Sequence, residues 1–359
     1  FDVSGDGVRL SGRRDGVPVA FEARRAADAS GPRGFLSRAL PIAERSFPAM
    51  PSTRTLYSHF RGVARMEDVV SLDGSPPYPI DDAALHHVFD GGWIWVLRFS
   101  DGVSSAGAML SPELDAEIRG REGEGAWRRL LAMFPAVARQ FRGAEPLLPF
   151  RYAENVPYRS AAASGPGWWL LPSAAAFVDP LLSTGIPLTL LGIARAGLAL
   201  EADDGEGGFE REIGDVAART LDEADLTAAL VGALWRSFDD LETFAAATMF
   251  YFAAASFAEA SCRLGRESFP GFLGADRPAL RAAILSAAAR LGGGRAERTG
   301  FSAAARAAIE PWNVAGLLDP ERRNWYPVSA ADLREGAAKL AASEREIDDM
   351  LVRSGFAIG

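Results

Sequence analysis

A chain of 359 residues, 48% hydrophobic and 24% charged, is long enough for two domains and apolar enough to bury a core. Its formal net charge of −9 argues against nucleic acid or an anionic membrane surface as partner, and its single cysteine, Cys262, excludes an internal disulfide framework and a multi-cysteine metal site. Along the chain, Val8–Leu10 and Val17–Ala23 read as strands around the turn Arg14-Asp15-Gly16. Ala26–Ser30 runs into a glycine-bearing turn and a short helix to Leu40. Thr55–Ala64 alternates as a strand, and His86–Asp90, Trp93–Phe99 and Val103–Leu110 form a meander whose turns are Gly91-Gly92 and Asp101-Gly102. The period then changes to 3.6, which predicts helices over 112–119, 125–133 and 135–141. Short strands are expected at 151–156 and 168–171, and helices at 184–201, 213–238, 241–264, 277–291, 301–309 and 330–353. Residues 202–208 form an acidic, glycine-rich loop. A sheet region followed by a helical one implies an α/β (α+β) architecture.

No signal-peptide pattern opens the chain, because Asp2, Asp6, Arg9, Arg13 and Arg14 interrupt its first residues. The longest uncharged apolar run, Phe244–Ala258, is shorter than the roughly 20 residues a membrane span needs, so a buried helix and no transmembrane segment are expected there. A cytoplasmic location fits these features. The oligomeric state is not legible. Lysine occurs once, at Lys339, which removes it as a catalytic candidate almost everywhere.

Several chemistries fail on motif. The sequence holds no G-x-G-x-x-G, no P-loop and no G-x-S-x-G elbow. The histidines are His59, His86 and His87, and neighbours on a strand point to opposite faces, so no metal site is expected.

Three segments remain. Asp28-Ala29-Ser30-Gly31-Pro32-Arg33-Gly34 ends a strand with an acid and small residues, which let backbone approach a cofactor or simply make a tight turn. In Gly91-Gly92-Trp93-Ile94-Trp95, Trp93 and Trp95 share a strand face, as a wall for a planar ligand or as core anchors. From Leu170 to Pro187 a strand ends, Pro172-Ser173, Phe177-Val178-Asp179-Pro180 and Ser183-Thr184-Gly185-Ile186 follow, and a helix begins. Ser183 or Thr184 can cap that helix, Pro187 suits its first turn, and its N-terminus suits an anion.

The order Asp-Ala-Ser-Gly, Gly-Trp-x-Trp and Phe-Val-Asp-Pro-x-x-Ser-Thr-Gly-Ile resembles flavin-dependent halogenases and related FAD monooxygenases, over residues 8–200. The resemblance implies an aromatic-hydroxylase-like FAD fold with a mainly antiparallel substrate sheet and a helical C-terminal region. It implies that Asp28, Ala29, Ser30, Gly31, Ser173, Phe177, Asp179, Pro180, Ser183, Thr184, Gly185 and Ile186 lie beside FAD. Trp93 and Trp95 match the tryptophan wall that shields the flavin, and Thr184 and Gly185 match the helix start where halogenases hold halide. The pattern departs at Pro172-Ser173, where the family has Gly-Asp, and at Leu182, where tryptophan halogenases carry glutamate.

The expected division is a partial FAD-binding domain (1–50 and 145–200), a substrate-domain sheet with helices (51–144) and a helical region (201–359). With no glycine-rich turn, the first βαβ unit is expected to be missing, and the chain alone is expected not to hold FAD stoichiometrically. The implied function is an FAD-dependent oxidoreductase, monooxygenase-like, acting on a small or carrier-bound organic substrate with a flavin reductase as partner. The alternatives are halogenation and a degenerate binding protein with an apolar pocket.

Overall fold

In chain order, strands β1 (Asp2–Ser4), β2 (Gly7–Arg14), β3 (Val17–Ala23) and β4 (Ala26–Asp28) lead into helix α1 (Phe35–Ala39) and strand β5 (Glu44–Arg45). Next come β6 (Arg54–Arg61), α2 (Met66–Val69), β7 (Leu85–Phe89), β8 (Gly92–Arg98) and β9 (Val103–Leu110). Helices α3 (Pro112–Ile118), α4 (Glu124–Met133) and α5 (Pro135–Gln140) follow. Short strands β10 (Glu145–Pro146), β11 (Arg151–Glu154), β12 (Tyr158–Ser160), β13 (Ser164–Gly165) and β14 (Trp168–Leu170) come after them. After α6 (Pro172–Ala175) and β15 (Ala176–Phe177), helices carry most of the chain: α7 (Gly185–Glu201), α8 (Gly208–Trp235), α9 (Leu241–Arg263) and α10 (Pro278–Gly292). The series ends with α11 (Arg295–Arg298), α12 (Phe301–Ile309), α13 (Ala330–Glu335) and α14 (Glu344–Arg353). This computed structural model describes residues 1–4, 7–71, 74, 76, 78–203, 208–319 and 328–356, so most of the expected acidic loop at 202–208 lies outside the described residues.

The chain divides into two compact units. The first holds Phe1–Met50, Pro157–Gly232 and Phe257–Ala289; the second holds Pro51–Val156, Ala233–Ser256 and Arg290–Gly359. The helices after residue 201 are shared between the two units.

In the second unit, β10, β6, β9, β8 and β7 lie in that order in one antiparallel sheet, with β11 also paired to β6. Strand residues alternate between faces. Leu56, Phe60, Ile94, Val96, Ala106 and Ala108 therefore point one way, where Leu114, Ile118, Trp127, Leu130, Val137 and Phe141 of α3–α5 cover them. Phe60, Trp127 and Phe141 meet with ring centroids 5.3–5.6 Å apart. The other face carries Tyr57, His59, Trp93, Trp95 and His86.

The expected single helix over 330–353 is two helices, α13 and α14, joined by a 3₁₀ turn. Ala341 takes a left-handed conformation (φ 50°), and Ser343 with Glu346 forms a capping box that starts α14 anew. Apolar periodicity continues through the break, so it hid the cap.

In the first unit, β1–β3 form a hairpin-linked antiparallel sheet, and β14 lies between β13 and β4. Trp168 and Leu170 face Leu36, Ala174 and Ala217, whereas Trp169 faces Ala196, Ala199, Phe209 and Ile213 of α7 and α8. The period of two thus buries both faces of β14, as a central strand requires. By length and composition, Leu181–Glu201 and Leu241–Arg263 could cross a membrane, a stronger signal than Phe244–Ala258 alone suggests. Core helices of soluble proteins pass the same test, and half of the second apolar window is buried.

Candidate functional site

Strands β4 and β14 make the one parallel pair among the described strands, with Asp28 opposite Leu170. Their carboxyl ends lie side by side, which is where ligands bind in open α/β sheets. Two of the three motifs leave the sheet at that point. The Leu171 amide donates to the Asp28 carbonyl at 3.0 Å, tying the two exits together.

Asp28 is 5% exposed, and both its carboxylate oxygens hold the turn it begins. One oxygen accepts from the Ser30 amide (2.7 Å) and hydroxyl (2.5 Å); the other accepts from the Leu36 amide (2.7 Å) at the start of α1. Ser30 Oγ in turn accepts from the Phe35 amide at 2.6 Å, and Gly31 has φ +83°. Asp28 therefore shapes the Ala29–Gly31 loop and the start of α1.

The second exit builds a cavity. Pro172 starts α6, and α7 crosses it so closely that a Cβ on Gly192 would lie 2.2 Å from Pro172 Cγ. Only glycine permits that approach. Asp179, 2% exposed, accepts from the Leu181 amide at 2.8 Å and turns the chain at Pro180. Leu182 (φ 62°) and Ser183 (φ 52°) are both held in the left-handed region. For a branched side chain such as Leu this costs on the order of 1–3 kcal/mol, and such strain concentrates at ligand sites.

Thr184 then stands at the N-cap of α7, but its side chain does not cap, contrary to the expectation for Ser183 or Thr184. Pro187 has no N–H and the Leu188 amide donates to the Thr184 carbonyl at 3.4 Å, so the Gly185 and Ile186 N–H groups, without a side-chain cap, are those that the start of this 17-residue helix presents to another acceptor. A Cβ placed on Gly185 meets nothing within 4 Å, so the backbone there faces open space. That space is a cavity of about 450 Å³ lined by Ser173, Phe177, Asp179, Pro180, Ser183, Thr184, Gly185 and Ile186, all expected from sequence. Thr220 and Ala224 of α8 line it too, and sequence reading missed them. Nothing but their small size at i and i+4, a pattern shared by many helix faces, could have signalled them. Asp28, Ala29, Ser30 and Gly31 are not part of this lining.

Trp93 and Trp95 belong to the second unit. They share a sheet face, with ring centroids 5.6 Å apart. Trp93 is 1% exposed, an enclosed core side chain and not an open wall, and its Nε1 has no hydrogen-bond partner among the described residues. Trp95 is half-buried and lies across Gly107, where a Cβ would come within 2.4 Å of its ring. His86 packs edge-on to Trp93 at 4.9 Å, and burial beside His87 pushes its pKa down to about 4. His87 points to the opposite face, where its Nε2 lies 3.2 Å from Gln140 Oε1. Lys339 donates to Glu310 Oε1 (2.8 Å) and the Asn313 carbonyl (2.9 Å), a local tie.

No family model matches the chain. Tetracycline 7-halogenase of Kitasatospora aureofaciens is 32% identical over 192 residues, covering 51% of this chain and 34% of that protein. Monodechloroaminopyrrolnitrin halogenase PrnC of Pseudomonas fluorescens is 31% identical over 206 residues, 53% of this chain and 36% of that protein. The matched part thus spans about a third of the length of these curated relatives. Among solved structures, halogenase PltM in complex with phloroglucinol and FAD superposes with a TM-score of 0.70 at 21% identity, over 91% of this chain and 68% of that one. The flavin-dependent brominase Bmp2 gives 0.52 at 20% identity, over 87% of this chain and 69% of that one. The mixed α/β fold class and the resemblance carried by the motifs are borne out: in fold, and in sequence over about half its length, this chain is similar to flavin-dependent halogenases.

Proposed function

We propose that the chain forms the flavin-ring side of an FAD-dependent oxidoreductase, halogenase-like, acting on a small or carrier-bound organic substrate. The observation that carries this reading is the cavity at the uncapped N-terminus of α7, bounded by the strained Leu182-Ser183 turn and by Gly185. The residues fit the isoalloxazine end of FAD. Gly185 leaves room for a flat ring against backbone, and Phe177, Val178 and Leu188 give the cavity apolar walls that exclude water. FAD, when bound, supplies redox chemistry with oxygen. The α7 N–H groups and dipole would stabilise negative charge, at the N1–C2 edge of the flavin or on a halide. Ser173 offers a neutral hydroxyl to the same space.

The names of the relatives, which include a 1H-pyrrole-2-carbonyl-[peptidyl-carrier protein] brominase of Pseudoalteromonas luteoviolacea, favour halogenation over hydroxylation and support a small or carrier-bound substrate. Electrons would come from a separate flavin reductase.

The test is a titration of the purified chain with FAD, followed by flavin fluorescence and visible absorption. Binding should be weak, because the sequence has no glycine-rich turn for the pyrophosphate. Gly185→Val should weaken it at least about tenfold by filling the space over the helix start. An unperturbed flavin spectrum, or equal affinity in Gly185→Val, overturns the reading.

A further inference from the structure

Strands β5 and β12 pair antiparallel with Arg45 directly opposite Arg159. Like charges facing each other across a strand pair repel, so such a pair needs anions to balance it. One is present. Arg159 donates to both oxygens of Asp225 on α8, at 2.8 and 2.9 Å, and to the Ser160 carbonyl at 3.0 Å. The Arg45 guanidinium has no ion-pair or hydrogen-bond partner among the described residues. The neighbouring carboxylates are engaged elsewhere: Glu44 with Arg33 at 2.8 and 2.6 Å, and Asp222 with Arg281 at 2.7 Å. Arg45 and Arg159 both line a cavity of about 390 Å³ whose remaining walls include Phe47, Pro48 and Ala228. Its volume falls in the range of small-molecule sites. Arg159 has two N–H groups left and Arg45 all five, a donor set whose planar forks match an oxyanion.

We propose that this cavity binds a small organic oxyanion, a carboxylate or phosphate on an apolar body, between Arg45 and Arg159, with the apolar body against Phe47 and Pro48. The site shares no lining residue with the cavity at α7, so it goes beyond the flavin reading.

Calorimetric titration of the full chain with benzoate, phenyl phosphate, inorganic phosphate and benzyl alcohol tests it. Saturable binding of benzoate or phenyl phosphate is expected, and which of the two binds tighter tells carboxylate from phosphate as the preferred group. Arg45→Gln, an exposed position that folding tolerates, should weaken binding about tenfold or more, and Arg45→Lys less. Asp225→Asn should tighten it, because it frees Arg159 and removes the one carboxylate facing the site. Binding of benzyl alcohol as tight as that of benzoate, binding unchanged in Arg45→Gln, binding weakened by Asp225→Asn, or no binding of either organic anion overturns the proposal. Inorganic phosphate binding more tightly than phenyl phosphate overturns the apolar half of it.

Discussion

Asp28 is a motif residue that shapes the fold. Its three hydrogen bonds hold the loop Ala29–Gly31 and start α1. Asp28→Ala leaves those buried donors without an acceptor, which is expected to cost about 1–3 kcal/mol in urea unfolding. Asp28→Asn, which retains one carbonyl acceptor, should cost less. His86 makes a second prediction at this scale. Its folded pKa of about 4 lies below the ordinary 6.5 because burial disfavours the charged ring. Below pH 6.5 the unfolded chain takes up a proton that the folded chain refuses until about pH 4, so stability is present above that window and is lost as pH falls through it. The loss at His86 amounts to about 3 kcal/mol, and His87, lowered for the same reason, adds in the same direction. Unfolding measured at stepped pH should show a steeper fall in wild type than in His86→Phe; equal slopes would falsify the assignment.

Helix α7 is held at element scale by a buried ion pair. Arg195, 6% exposed, donates to both oxygens of Glu223 on α8, at 2.8 and 2.9 Å, and to the Pro270 carbonyl at 2.8 Å. Glu223 also accepts from the Phe272 amide at 2.9 Å. The pair ties α7, α8 and the 270–272 loop into one assembly, and α7 carries the candidate site at its N-terminus. Arg195→Met strands a buried carboxylate and should cost about 3–5 kcal/mol, whereas the double variant Arg195→Met/Glu223→Met should recover much of that. A denaturation series on the two variants checks it; equal losses would show that the geometry of the pair, and not the unpaired charge, is what matters.

At the scale of the whole molecule, α7 leaves a long apolar face in solvent. Ile186 is 65% exposed, Leu190 62% and Ile193 47%, with Leu200 further along the same side at 48%. A contiguous apolar stripe of this kind drives association. The chain is expected to self-associate and to bind a hydrophobic dye, and Leu190→Gln with Ile193→Gln should lower both, as read by light scattering and dye fluorescence. If the double variant scatters and stains as wild type does, the stripe is not the associating surface.

Period and turn chemistry made elements of both units legible, since β3, β9 and α12 have the bounds that alternation, turn residues and 3.6-residue spacing predict. The motif from Ser173 to Ile186 was legible because consecutive residues with small side chains, an acid and a helix start must stay together in space. Sequence could not show the left-handed Leu182 and Ser183, because neither residue type asks for φ > 0; the surrounding packing imposes it. Nor could it show that Asp28 spends its charge on a turn, that Thr220 and Ala224 come from α8 to close the cavity, or that Arg45 faces Arg159. The last two depend on helix packing and strand register between residues far apart in the chain, about which local propensity carries no information, and the role of Asp28 depends on which of several local acceptors its turn uses.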